Sequence, residues 1–139
     1  MNAMHQNAYD FDAAQAHFRA KAQFTTGTHE LELLVTDAAK SDVGPFAIVD
    51  LRYPADFAKG HVPGAINLPR NKWTQAAIER AGLSKDGVNY LYCYTQTCHL
   101  AAEAAVELTR LGYRAVEVEG GWASWVAGGY RVEPTVAAA

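Results

Sequence analysis

Two short stretches stand out in the pattern of apolar and polar positions. Phe46 to Leu51 (FAIVDL) and Val88 to Cys93 (VNYLYC) are nearly continuous apolar or aromatic runs. Runs of this length with little polar alternation predict strands buried on both faces. Elsewhere the period is helical. Over Tyr9 to Gln23, Phe11, Ala14, His17, Phe18 and Lys21 recur at helical spacing, with Asp10 or Asp12 available as a cap. Over Glu30 to Lys40, Leu31, Leu34, Val35 and Ala38 fall on one side. Pro54 to Lys59 predicts a short helix, with Pro54 suited to the first turn. Lys72 to Ala81 predicts another, stopped by Gly82, and Cys98 to Leu111 an alanine- and leucine-rich one, stopped by Gly112. Trp122 to Ala127 is the last.

Shorter strands are predicted at Phe24 to Thr26, Ala65 to Leu68 and Arg114 to Val118, and turns at Ser41 to Pro45, Gly60 to Gly64 and Gly120-Gly121. Strand and helix alternating at this spacing imply βαβ units: an α/β fold with a mainly parallel sheet and helices on both faces. Ligands in such folds sit beyond the carboxyl ends of the strands. Cys93 is the last residue of a predicted strand, and the loop after it opens a helix.

Composition narrows the function. A chain of 139 residues fits one domain with one core. Its net charge of −3 and lack of a basic run leave no electrostatic footprint for nucleic acid or an anionic membrane. No apolar stretch approaches the roughly 18 residues that span a bilayer. The N-terminus, MNAMHQNAYDFD, has no basic region followed by an apolar one. A soluble cytoplasmic protein is expected, in which cysteines stay reduced and a close pair points to catalysis or redox chemistry. The only two cysteines, Cys93 and Cys98, share one loop, YCYTQTCH.

A strand, a tight loop and a helix N-terminus together make a bowl of backbone N–H groups with partial positive charge. A cysteine at its base has its thiolate stabilised, and the thiolate is the nucleophile. The same bowl suits the charged outer sulfur of a persulfide. Tyr94, Thr95, Gln96 and Thr97 would line it with their N–H groups. His99 stands near the helix start, where the dipole disfavours an imidazolium, so a neutral ring is expected. The spacing C-x4-C-H is not a usual zinc pattern and no fourth ligand is supplied by a second cluster, so no metal is expected.

Four blocks, in order, carry a resemblance: Asp50-Leu51-Arg52 at a strand end; Gly60-His61-Val62-Pro63-Gly64-Ala65-Ile66-Asn67-Leu68-Pro69; Cys93 after a strand; and Gly112-Tyr113 with Gly120-Gly121-Trp122 and Trp125. From about Leu31 to Tyr130 the chain resembles single-domain rhodanese-type sulfurtransferases. The resemblance implies a rhodanese-like α/β fold with a central, mostly parallel five-stranded sheet. It implies a Cys93 persulfide in a six-residue loop, no cofactor, and transfer of a sulfane sulfur from a small-molecule donor to a thiol acceptor, small or protein-borne. Residues 1–27 then form an N-terminal helical extension, 28–132 the domain and 133–139 a flexible tail. The extension would serve as a dimer contact or as a cover over an edge strand.

The loop also departs from that family. Thiosulfate-using members have C-x-x-G-x-R. Here Gln96 stands at the glycine place and Cys98 at the arginine place, so no residue from Cys93 to His99 is Lys or Arg. The charge-assisted contact to an anionic donor is lost. The loop is similar to a subgroup with a second cysteine, C-x-G-P-x-C-N, though without its Gly-Pro. Cys98 is then either a resolving thiol or a small residue filling the helix start. Asp50 and Arg52 are expected to tie the loop after the strand to the GHVPG turn, and His61 to be a turn residue with a satisfied ring. Two other functions stay open. Phosphatase or arsenate chemistry needs an arginine where His99 stands. A non-enzymatic binding module or a thiol redox sensor would use Cys93 and Cys98 as a dithiol.

Overall fold

The computed structural model describes residues 8–37 and 44–134. Most of the turn expected at Ser41 to Pro45, residues 38–40 of the helix expected to reach Lys40, and the tail from residue 135 lie outside the described residues; that helix ends earlier than expected, at Thr36, with Asp37 as its cap. The elements run α1 (Phe11–Phe24), β1 (Thr25–Thr26), α2 (Thr28–Thr36), β2 (Phe46–Asp50), α3 (Pro54–Lys59), β3 (Ile66–Asn67), a single 3-10 turn (Arg70–Lys72), α4 (Gln75–Arg80), β4 (Val88–Tyr92), α5 (Leu100–Arg110), β5 (Arg114–Val118) and α6 (Gly121–Ala127).

The strands form one five-stranded sheet in the order β1-β5-β4-β2-β3. Every pairing is parallel, a stricter arrangement than the mostly parallel sheet expected. The two runs that read as doubly buried strands are its centre. β2 and β4 pair over their full length, from Phe46 opposite Val88 to Asp50 opposite Tyr92. The chain leaves β2 toward β3 on one side and β4 toward β5 on the other. Their shared boundary is therefore the point where the winding reverses, and the crevice beyond its carboxyl ends is where this architecture places ligands.

Side-chain alternation splits the core into two layers. Val49, Leu51, Leu91 and Cys93 join Ala101, Ala104 and Leu108 of α5 and Ile78 of α4. Ile48, Tyr92 and Val118 join Leu31 of α2, Val62 and Trp125 of α6. Successive residues of a strand face opposite sides, so Tyr92 and Cys93 are committed to different layers. α1 lies along the β1 edge without a fully buried residue. It is capped as expected, by the Asp10 side chain accepting from the Ala13 amide at 2.9 Å, and Phe11 and Phe18 are exposed.

Two helices start later than their patterns suggest. Lys72 ends the 3-10 turn, and α4 begins only after Thr74, whose hydroxyl accepts from the Ala77 amide at 3.0 Å. The short polar side chain supplies a partner for an orphan N–H, which fixes the start. The helix expected from Cys98 begins at Leu100, because His99 takes the cap position with φ −93° and ψ 2°. Glu133, assigned to the tail by sequence, pairs its backbone with His61.

Candidate active site

Cys93 is the first residue after β4, beyond the carboxyl end of the central strand, and is 2% exposed. The loop from Tyr94 to His99 curls back over it. The Cys98 amide donates to the Thr95 carbonyl at 3.1 Å. The Cys93 thiol points at the Cys98 carbonyl, with sulfur and oxygen 3.6 Å apart. Both cysteines are free thiols, Cys93 buried and Cys98 half-buried.

The outer side of the loop is fixed by the start of α6. The amides of Trp122 and Ala123 donate to the carbonyls of Cys93 and Tyr94 at 2.8 and 2.9 Å. This approach requires glycine at position 121. Its φ is +58°, and a Cβ there would lie 2.6 Å from the Cys93 carbonyl oxygen. The Gly-Gly-Trp block is thus the rear support of the loop.

Backbone amides around the loop favour the charged form of each sulfur, those of Ala101 and Tyr94 for Cys93 and those of Leu100, Tyr94 and Thr95 for Cys98. Burial, reinforced by the neighbouring Cys98 sulfur, pushes the Cys93 thiol up to about 12. Burial opposes ionisation of Cys98 too, but contact with the Cys93 thiol and its three amides outweigh that and hold Cys98 below the usual thiol value. In the resting pair Cys98 is the sulfur that ionises first. The Cys93 thiol lies against it.

Asp50 and Arg52 form a buried ion pair below the loop, Arg52 Nη2 donating to Asp50 Oδ2 at 2.8 Å and Arg52 Nε to Oδ1 at 3.1 Å. Arg52 Nη2 also donates to the Gly60 carbonyl at 2.6 Å. The Tyr92 hydroxyl donates to Asp50 Oδ2 at 2.5 Å and accepts from the Val62 amide at 3.1 Å. The Arg52 guanidinium lies over the Trp122 ring, its central carbon 4.3 Å from the centroid. The network joins the end of β2 to the GHVPG turn and to the rear support of the loop. Asn67 adds two donations, to the carbonyls of Asp50 and Arg52 at 3.1 and 3.0 Å. His61 lies apart from the sulfurs: its Nδ1 meets the Phe57 carbonyl at 2.9 Å and its ring stacks on Phe57. Gly64, at φ +80°, makes the turn that follows.

The remaining loop side chains face outward. Tyr94 donates to Asp56 Oδ2 at 2.5 Å and accepts from the Tyr53 amide at 3.1 Å. The Thr95 and Thr97 hydroxyls meet at 3.3 Å. Gln96 donates to Glu119 Oε2 at 3.2 Å, and Lys21 of α1 donates to the same carboxylate at 2.7 and 3.0 Å. His99 is exposed. Among the described residues no three His, Cys, Asp or Glu side chains converge as metal ligands, and no helix is long and apolar enough to cross a membrane.

One part of this edge carried no signal in the sequence. A cleft of about 320 Å³ opens beside the loop, lined by Leu51, Tyr53, Arg70, Asn71, Tyr94 and Leu100. Its residues come from three separate segments, so no spacing along the chain announces it.

With the geometry in place, comparison with known proteins gives the family. The model of the rhodanese-like domain matches residues 30–128, most of the chain. The chain belongs to the rhodanese-like family. The BH2092 protein of Bacillus halodurans has a similar structure, with 28% identity and a TM-score of 0.79 over 91% of this chain and 88% of that one. A thiosulfate sulfurtransferase of Pseudomonas aeruginosa is similar at 28% identity and a TM-score of 0.62, over 80% of this chain but 19% of that longer one. A rhodanese-like domain protein of Staphylococcus aureus is similar at 26% identity and a TM-score of 0.57, over 73% of this chain and 90% of that one. No curated protein matches the sequence.

Proposed function

We propose that the protein is a sulfurtransferase or sulfur carrier that moves a sulfane sulfur through a persulfide on Cys93. The observation that carries this reading is the position of Cys93. It lies at the winding reversal of the sheet, buried at the base of a loop that curls over it and carries a second free thiol. Membership of the rhodanese-like family supports it.

In the first half-reaction Cys93 passes its proton to the Cys98 thiolate as its own sulfur attacks the outer sulfur of a donor R–S–SH. The new S–S bond forms on Cys93, the bond between the two donor sulfurs breaks, and RS⁻ leaves. The amides of Ala101 and Tyr94 hold the charge that develops. In the second half-reaction an acceptor thiolate attacks the outer sulfur of the Cys93 persulfide, becomes the persulfide itself, and returns Cys93 as a thiolate. Acceptor thiols, free or on a partner protein, reach the loop from its open side.

Intact-mass spectrometry tests the proposal. The protein, incubated with thiosulfate, polysulfide or an organic persulfide, should gain one cyanide-labile sulfur, and Cys93→Ser should gain none. Failure to load from any of these donors would remove the proposal.

A second reading is favoured by the contact of the two thiols: a dithiol that closes to a Cys93–Cys98 disulfide. Peroxide treatment distinguishes it. Loss of both thiols in the wild type, with sulfenate trapped in Cys98→Ser, would make the disulfide the meaningful state.

A further inference from the structure

The site holds one cation whose purpose the fold does not use up. Arg70 follows the GHVPGAINLP segment, and its backbone amide donates to the Leu51 carbonyl at 3.4 Å. Its guanidinium lies over the Trp73 ring, the central carbon 4.8 Å from the centroid. Trp73 is held in turn by donation from its indole N–H to the Leu68 carbonyl at 2.9 Å. The side chain is therefore laid down in one direction before any ligand arrives. Its Nε is buried and has no hydrogen-bond partner among the described residues, and Arg70 makes no salt bridge among them.

Arg70 lines the cleft beside the loop with Asn71, and the other walls are Leu51, Leu100, Tyr53 and Tyr94. Tyr94 follows Cys93 in the chain, and Leu100 is the first residue of α5, two positions after Cys98. The cleft thus adjoins the two ends of the loop that carries the sulfurs. It contains one fixed guanidinium, one side-chain amide, two aliphatic and two aromatic side chains, and no carboxylate. With its Nε closed off from solvent, the guanidinium meets a ligand through its terminal nitrogens, which have no hydrogen-bond partner among the described residues. A guanidinium's planar fork matches a carboxylate.

We propose that Arg70 selects the sulfur donor: the cleft takes a low-molecular-weight organic persulfide bearing a carboxylate. The carboxylate sits on Arg70 and Asn71, the carbon skeleton lies against Leu51 and Leu100, and the outer sulfur reaches Cys93. Arg70 is a binding residue for the donor and takes no part in bond making. The inference rests on the carrier reading and names its donor class. It also accounts for a loop without arginine: the cation has been moved from above the sulfur to the side, where it meets the far end of a donor longer than thiosulfate.

The test uses two donors of nearly equal size, mercaptoacetate persulfide and mercaptoacetamide persulfide, with loading of Cys93 followed by intact mass. In the wild type the carboxylate donor should have the lower KM. Arg70→Met should raise KM for mercaptoacetate persulfide by about ten-fold or more, the range of a lost hydrogen bond to a charged group, with kcat little changed. The amide donor should be unaffected, which also shows that the variant is folded. Arg70→Lys should fall between. Equal effects on both donors, or none on either, would overturn the assignment of Arg70 while leaving the carrier reading intact. Absence of loading by the wild type with both donors, and with polysulfide, would overturn the carrier reading and this inference with it.

Discussion

Gly121 and Cys93 touch through backbone alone: a methyl group on Gly121 would stand 2.6 Å from the Cys93 carbonyl oxygen. Gly121 also sits at φ +58°, where an L-residue is strained. Gly121→Ala is expected to destabilise the fold by about 1–3 kcal/mol and to displace the loop. Urea unfolding and the rate of Cys93 loading should fall together. Unchanged stability would mean that the loop has another support.

The Asp50–Arg52 pair is 0% and 2% exposed, so breaking it leaves a charge without compensation. Arg52→Met should cost about 3–5 kcal/mol in urea unfolding. Tyr92→Phe removes one donor to Asp50 and the acceptor for the Val62 amide, and should cost about 1–3 kcal/mol. A loss below that range for Arg52→Met would show that the pair is solvated in solution.

Cys98→Ser should move the pH dependence of loading. In the wild type the pair loses its first proton from Cys98, whose value is lowered, so loading should switch on below the titration of an ordinary thiol. In the variant the proton must leave Cys93 directly, and burial raises that thiol. Loading should then rise only at higher pH. Initial rates measured from mildly acidic to alkaline buffer check this, and superimposable profiles would exclude Cys98 as the proton acceptor.

Glu119→Ala removes the carboxylate shared by Gln96 and Lys21. The pair with Lys21 is partly exposed, so stability should change by less than about 1 kcal/mol. Loading should slow measurably, since Gln96 loses its side-chain anchor. A large loss of stability with normal loading would be the opposite of what the geometry requires.

The sheet was legible because its two central strands are short apolar runs of equal depth, FAIVDL and VNYLYC, and a doubly covered strand leaves that mark. Helix starts were less legible. Thr74 and His99 set them through local cap geometry, which competes with an apolar period that runs straight through both positions. At the site, Cys93 could be placed from topology, and Asp50 and Arg52 from their position at a strand end. The cleft could not be read. Leu51, Arg70 and Leu100 meet only after β2, β3 and α5 have packed, and nothing local marks Arg70. Nor does any spacing reveal that the Cys93 thiol meets the Cys98 carbonyl, since the direction of that carbonyl is set by the curl of the backbone.

The Glu119 carboxylate has a consequence for the chain's outer boundary. Lys21 belongs to the helix that precedes the family-matched segment, and Gln96 to the crown of the sulfur-bearing loop, yet one acidic group holds both. Trimming the protein back to the matched segment would remove more than an appendage. It would take away an edge strand and leave Glu119 with a single partner. The shortened chain would carry the same sulfurs under a differently anchored roof, so the natural unit for biochemistry is the chain with its first helix attached.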